Sequence, residues 1–284
     1  MADTGVRIEA FGDPGCPWDF AAEGARLKLR WLHGDALTWQ HRMVGLSRTV
    51  NDYPSRGITL EDLAESRRAI AERHGVPIDA APGTRYQATA VACLAVVAVR
   101  DRAPDHVDAF LRALRVSCQS RRKMVDEPAT LDAAAAAAGL DAGDVRAWTA
   151  EPAARDALER DMADAREPDA ASRAMPDRLV RTPDGALRLT CPSYRVHGPA
   201  GSLSAPGFQP ARVYEALVAN AAPGLVPRPL PGTADDVMEW APYPLSTAEV
   251  AGVMEVPLPA ARAALVRSSA RFQPVANDGY WSPG

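Results

Sequence analysis

The residues best suited to do chemistry lie in one short stretch, DPGCPWDF, from Asp13 to Phe20. Cys16 is followed by Pro17 and Trp18, and the fourth place, where a dithiol motif would repeat the cysteine, holds Asp19. The helical pattern begins at Pro17, so Cys16 falls at the N-cap or in the first turn. Orphan backbone N–H groups and the positive end of the helix dipole favour an anion there. This is the setting in which cysteines become thiolate nucleophiles. The competing reading is a buried cysteine acting as a small apolar residue; position and neighbours favour the nucleophile. Asp19 has two readings of equal standing. Its carboxylate can reach back to the backbone N–H of the cap, or it can handle protons beside the thiol, where its charge opposes the helix dipole. In neither role can it resolve a mixed disulfide.

The elements that must position this stretch follow from periodicity and turn chemistry. Residues 6–11 (VRIEAF) read as a strand, residues 12–15 as a turn, and the helical pattern from Pro17 ends at Gly34. Residues 37–44 alternate like a second strand, which makes a β-α-β start and a parallel pair. Residues 45–58 form a polar loop. Thr59 followed by Asp62 resembles a capping box for a helix reaching His74, and residues 86–101 form an apolar, buried helix. Further helices are expected at 104–119, 130–138, 141–149, 152–165 and 168–175. Strand signals return at 186–190, 193–197 and 202–205, followed by a helix in GFQPARVYEALVANA. The second half of the sheet thus arrives after a purely helical stretch, which must be an insertion or lid. The expected division is residues 1–50 and 180–225 for an α/β domain, 51–179 for a helical insertion, and 233–284 for a small C-terminal appendix. A proline-rich linker at 223–232 leads into that appendix, which reads as helix, turn, helix and a strand-like end, like a degenerate winged helix-turn-helix.

Composition narrows the function classes. The chain of 284 residues has a net charge of −4, which gives no general pull toward nucleic acid. The appendix lacks a basic recognition face, so packing or a homodimer contact suits it better than DNA. No stretch approaches the roughly 18 consecutive apolar residues of a membrane span, and MADTGVRIEA has no charged-then-apolar leader, so a cytoplasmic setting is expected. Of 32 basic residues only Lys28 and Lys123 are lysine, a bias of genome composition more than of mechanism. The cysteines are Cys16, Cys93, Cys118 and Cys191; no two have C-x-x-C spacing, so zinc-ribbon and vicinal-dithiol sites are excluded, and no metal is expected.

Three segments together carry a resemblance: DPGCPWDFAAE at 13–23, CPSYRV at 191–196 and APGFQPARVYEA at 205–216. With the order strand, Cys-Pro at a helix start, strand, helical insertion, proline-led hairpin and helix, the chain over residues 5–225 resembles the DsbA family. It looks most like the cytoplasmic FrnE-like branch, related to the kappa-class glutathione transferases and the hydroxychromene carboxylate isomerases. The resemblance implies a thioredoxin-like fold in which Pro192 is cis and lies beside Cys16. The residue before that proline then faces the thiol, which places Cys191 near Cys16 by fold and leaves open either a disulfide between them or a packing role for Cys191. Pro17, Trp18, Cys191, Pro192, Ser193 and Gln209 are the expected substrate-binding residues around the catalytic pair Cys16 and Asp19.

Three functions fit. In the first, Cys16 adds to a conjugated double bond, the new single bond rotates and elimination returns the isomer; one nucleophile and one proton donor suffice, and an apolar pocket under the insertion suits a lipid-like or polyketide-like substrate. In the second, Cys16 exchanges disulfides with a small thiol such as glutathione or mycothiol, or with Cys191. In the third, the scaffold binds a small molecule without catalysis. Other residues carry weaker signals. Cys93 reads as core and Cys118 as surface, His41 and His197 as structural or solvated, Arg42 and Arg48 as contacts for an acidic or thioester substrate, and Tyr194 as a further lining residue.

Overall fold

The computed structural model describes residues 5–182 and 185–284. Its centre is a four-stranded sheet in the order β2-β1-β5-β6, built from β1 (Val6–Gly12), β2 (Leu37–Met43), β5 (Ser193–Gly198) and β6 (Gly201–Ala205). β1 pairs parallel with β2, as the β-α-β reading requires, and antiparallel with β5, with Phe11 opposite Ser193. All but one residue of β1 are buried, as expected of a central strand covered on both faces. Between β1 and β2 run a five-residue helix, α1 (Pro17–Ala21), and α2 (Glu23–His33), joined at Ala22. Ile8, Val196, Tyr194 and Val218 form the apolar layer between the sheet and α10 (Ala211–Ala221).

Seven helices separate β2 from the next strand: α3 (Leu60–His74), α4 (Thr89–Arg102), α5 (Val107–Arg121), α6 (Pro128–Ala137), α7 (Ala142–Ala150), α8 (Pro152–Asp164) and α9 (Ala170–Arg173). α3 starts with the Thr59–Asp62 capping box and ends at Gly75 in the left-handed region. α4, apolar on all sides, is the core of this helical layer, packed by α5, α7, α8 and β2. The α/β class with a helical insertion is therefore the observed architecture. One strand belongs elsewhere. The expected strand at 186–190 is β4 (Leu187–Leu189), which pairs with an unforeseen β3 (Leu179–Arg181) as a separate hairpin outside the sheet. Both strands are three residues long, too short for periodicity to reveal their partner.

The C-terminal appendix consists of α11 (Ala234–Trp240), α12 (Thr247–Met254), α13 (Leu258–Arg267) and the hairpin β7 (Arg271–Val275) and β8 (Asp278–Ser282), with Leu245 bridging to Trp281. It packs on the body of the protein. α12 lies against α2 where Gly24 meets Gly252, and a Cβ on Gly252 would sit 3.2 Å from the Gly24 backbone. The buried Arg112 guanidinium of α5 grips Glu249 of α12 and is surrounded by the Phe20, Tyr243 and Tyr280 rings. The linker is tied down too: Arg228 N–H donates to the Leu32 carbonyl at 2.8 Å, and its guanidinium lies 3.5 Å over the Trp31 ring. No helix among the described residues is long and apolar enough to cross a membrane.

Candidate functional site

The loop between β1 and α1 is organised by Asp13. Its carboxylate accepts the Gly15 N–H at 2.8 Å and its carbonyl accepts the Cys16 N–H at 3.0 Å, so Asp-Pro-Gly-Cys folds as an Asx-turn within a β-turn. The other carboxylate oxygen accepts from Leu46 N–H at 2.8 Å, Thr89 Oγ1 at 2.8 Å and Cys93 Sγ at 3.4 Å. Burial pushes the Asp13 carboxyl up, and these donors oppose that push. One buried acid therefore fastens the thiol loop to the loop after β2 and to the start of α4. Sequence reasoning missed this role, although Asp before Pro-Gly is a turn signal.

Cys16 is the N-cap of α1, in extended geometry, and its side chain is 5% exposed. Its thiol donates to the Cys191 carbonyl oxygen at 3.6 Å, and the Cys191–Pro192 peptide bond is cis. A hydrogen bond with Cys16, followed by burial, pushes the Cys191 thiol well up, and all four cysteines are free. Cys16 opens into a cavity of about 280 Å³ between the sheet and the helical insertion, with apolar walls that include Leu46, Leu63 and Met124. Pro17, Trp18 and Cys191 line it. A second cavity, of about 680 Å³, lies on the far side of Trp18 and contains Gln209. Trp18 forms the partition, with the His74 and Phe208 rings 5.5 and 5.4 Å from it.

Asp19 departs from both of its readings. It does not close a capping box, because Cys16 N–H is taken by the Asp13 carbonyl. It lines neither cavity. Its carboxylate, 1% exposed, bonds Arg26 at 2.8 Å, Arg115 at 2.6 Å and the Asp13 N–H at 3.1 Å, while Glu23 binds the same two arginines. Burial pushes Asp19 up, but the Arg115 and Arg26 charges outweigh it and hold the carboxyl below its usual range. The aspartate in the fourth motif place is thus one acid of a buried two-acid, two-arginine cluster. Its partner Arg115 lies far along the chain, which is why local spacing did not reveal it.

Other expectations also needed correction. Ser193 spends its hydroxyl on the Thr190 carbonyl at 2.6 Å and on the Gly207 N–H at 2.9 Å, and neither it nor Pro192 lines either cavity. Cys118 is buried and lines the Cys16 cavity, because the helix face that looked like an exposed end is covered by Gln87 and Gln119. Burial pushes its thiol up. Arg42 is engaged by Glu9 and Asp161, and Arg48 by Glu159, so neither faces the cavity. His41 bonds Asp108 at 2.6 Å and His197 bonds Ser202 and Glu9, in keeping with structural roles. Tyr194 belongs to the sheet core, its hydroxyl 3.3 Å from Arg26. Cys93 is core, as read.

Two of the unanticipated lining residues bear on the chemistry. Tyr53, in the loop after β2, lines the cavity. Burial pushes its phenol well up, and the Asp13, Cys16 and Cys191 groups add to that shift. Arg188 of β4 lines the same cavity while 8% exposed. No signal short of the fold marks either one. Among the described residues no cluster of three or more His, Cys, Asp or Glu side chains is arranged to hold a metal ion.

Comparison with known proteins bears on the fold. Residues 7–170 match the family model described as a DSBA-like thioredoxin domain. Among solved structures, the chain is similar to a candidate protein disulfide isomerase from Nitrosomonas europaea, at 15% identity and a TM-score of 0.57, covering 75% of this chain and 96% of the other. A probable DsbA oxidoreductase from Streptomyces coelicolor matches at 21% identity and a TM-score of 0.55, covering 80% and 94%. The cytosolic disulfide reductase DsbM from Pseudomonas aeruginosa matches at 17% identity and 0.49, covering 75% and 93%. At these identities the likeness is one of fold. No curated protein matches the chain.

Proposed function

The chain belongs to the DSBA-like thioredoxin domain family, and from that premise we propose that it is a thiol-dependent enzyme in which Cys16 attacks a small conjugated substrate without net redox change. Cys16, its proton passed to solvent, adds as thiolate to the β-carbon of an enone. The alkene electron pair moves toward the carbonyl oxygen, where the Tyr53 hydroxyl donates a proton. The former double bond rotates, the proton returns to Tyr53, and elimination releases the geometric isomer and the thiolate. The observation that carries this reading is the state of the other sulfurs. The fourth motif place holds the arginine-bound Asp19, and the two further cysteines lining the cavity, Cys118 and Cys191, are both held as thiols by their surroundings. Disulfide exchange resolved within the chain needs a second thiolate; without one, an external thiol must resolve the mixed disulfide. Asp19 is here a positioning residue that fixes α1 beneath Cys16.

The cis-to-trans isomerisation of cis-3-benzoylacrylic acid, followed by ultraviolet absorbance, tests this. Wild-type protein should catalyse it and Cys16→Ser should not. Faster alkylation of Cys16 by iodoacetamide than of free cysteine should accompany it. One observation favours a second reading: the Cys16 thiol donates to the Cys191 carbonyl oxygen at 3.6 Å, so Cys191 is at hand for a Cys16–Cys191 disulfide or beside a mixed disulfide with glutathione or mycothiol. Catalysed reduction of insulin by glutathione, lost in Cys191→Ser, would establish that reading in place of the first. A Cys16 no more reactive than free cysteine would leave only a binding scaffold.

A further inference from the structure

The cavity wall around Cys16 carries five basic side chains, Arg67, Arg85, Arg122, Lys123 and Arg188, and no aspartate or glutamate. Two of the five are neutralised: Arg85 pairs with Asp126 at 2.7 Å and Glu127 at 3.2 Å, and Arg122 lies 3.8 Å from Asp79. Arg188, Arg67 and Lys123 form no ion pair among the described residues. Arg188 is the unusual one. It is 8% exposed, and its one hydrogen bond among the described residues runs from Nη1 to the Leu189 carbonyl at 2.8 Å. A buried guanidinium without an anion is costly and rare. In this protein buried arginines otherwise have carboxylates: Arg26 and Arg115 share Asp19 and Glu23, and Arg112 holds Glu249.

We propose that the cavity is an anion-recognition site in which Arg188 anchors a carboxylate of the molecule that Cys16 attacks; the site rests on the nucleophilic reading of Cys16. The guanidinium retains N–H groups in a planar fork, which matches two carboxylate oxygens. Arg188 comes from β4, Arg67 from α3 and Lys123 from the turn after α5, so three elements that meet only in the tertiary fold bring positive charge to one thiol. The volume of about 280 Å³ lies at the lower edge of the roughly 300–1,000 Å³ of ligand pockets. The substrate class is therefore a small unsaturated carboxylic acid, with apolar walls for its body and Arg188 for its acid group.

Alkylation rates test this without knowledge of the substrate. Iodoacetate carries a carboxylate and iodoacetamide is its neutral analogue. The ratio of their second-order rates at Cys16 is read by intact mass and peptide mapping at low salt, with free cysteine as reference. The expected wild-type ratio exceeds that of free cysteine by about tenfold, the scale of one charge-assisted contact. It should fall to the free-cysteine ratio in Arg188→Gln, be partly kept in Arg188→Lys, and drop modestly in Arg67→Gln. A Cys16 that alkylates readily with a wild-type ratio at or below that of free cysteine overturns the anion site alone, and this measurement decides the matter even if Arg188→Gln does not fold. A Cys16 inert to both reagents overturns the nucleophilic reading and the site with it.

Discussion

Replacing Asp19 with asparagine removes one negative charge from a cluster that is neutral as built. Asp19 and Glu23 supply two carboxylates and Arg26 and Arg115 two guanidinium groups, and all four side chains are buried. The asparagine carbonyl can still accept one hydrogen bond, but Glu23 alone must then neutralise two arginines. Breaking a buried pair by removing one partner costs roughly 3–5 kcal/mol. Because Glu23 reaches both arginines, the lower end applies, about 3 kcal/mol. At about 2–4 °C per kcal/mol for a chain of this size, the melting temperature should fall by about 6–12 °C. Differential scanning calorimetry of the two proteins at neutral pH measures it. The difference should shrink in acid. The Asp19 carboxyl sits below its unfolded value in the folded protein, so its contribution is present above the unfolded pKa of about 3.9 and is lost as pH falls through the folded value. An asparagine variant melting within about 2 °C of wild type at neutral pH would refute the argument that this cluster holds α1 in place.

Three further outcomes are expected. Tyr53→Phe should slow enone isomerisation by about 10²-fold, the low end for a lost proton donor, while Cys16 still reacts with iodoacetamide; an unchanged rate would remove Tyr53 from the mechanism. Burial pushes the Glu9 carboxyl up, but hydrogen bonds from His197 and Arg42 and the charges of Arg42 and Arg195 outweigh it and bring it down to about 2. Glu9 should therefore stabilise the fold fully above about pH 4.3 and lose that contribution between there and about 2. Acid titration of wild type against Glu9→Gln, followed by circular dichroism, should show the variant less sensitive across that window. Finally, Glu249→Ala strands the buried Arg112 at the contact between α5 and α12, at a cost of about 3–5 kcal/mol. Proteinase K should then cut the 223–232 linker, after Leu225 beside the exposed Val226, faster than in wild type; equal cutting would mean that the appendix is held by its apolar contacts alone.

The sequence by itself determined whatever depends on residues close in the chain. The capping box at Thr59 and Asp62, the apolar helix α4, the parallel β1–β2 pair and the cysteine at the start of α1 all follow from spacing, turn chemistry and periodicity. The proline after Cys191 was placed beside Cys16 through family resemblance, since 175 residues separate the two cysteines. The tertiary structure alone decided which charges and sulfurs are buried together. Asp19 looks like a cap or a proton donor until Arg115 of α5 arrives to hold it; Cys118 looks exposed until α3 and the β3–β4 hairpin close a cavity over it; Arg188 is one arginine among many until it is found buried without a carboxylate. Local structure is fixed by backbone hydrogen bonding and side-chain periodicity over a few residues. The character of a charged group or a thiol is set by desolvation and by neighbours brought in from distant parts of the chain.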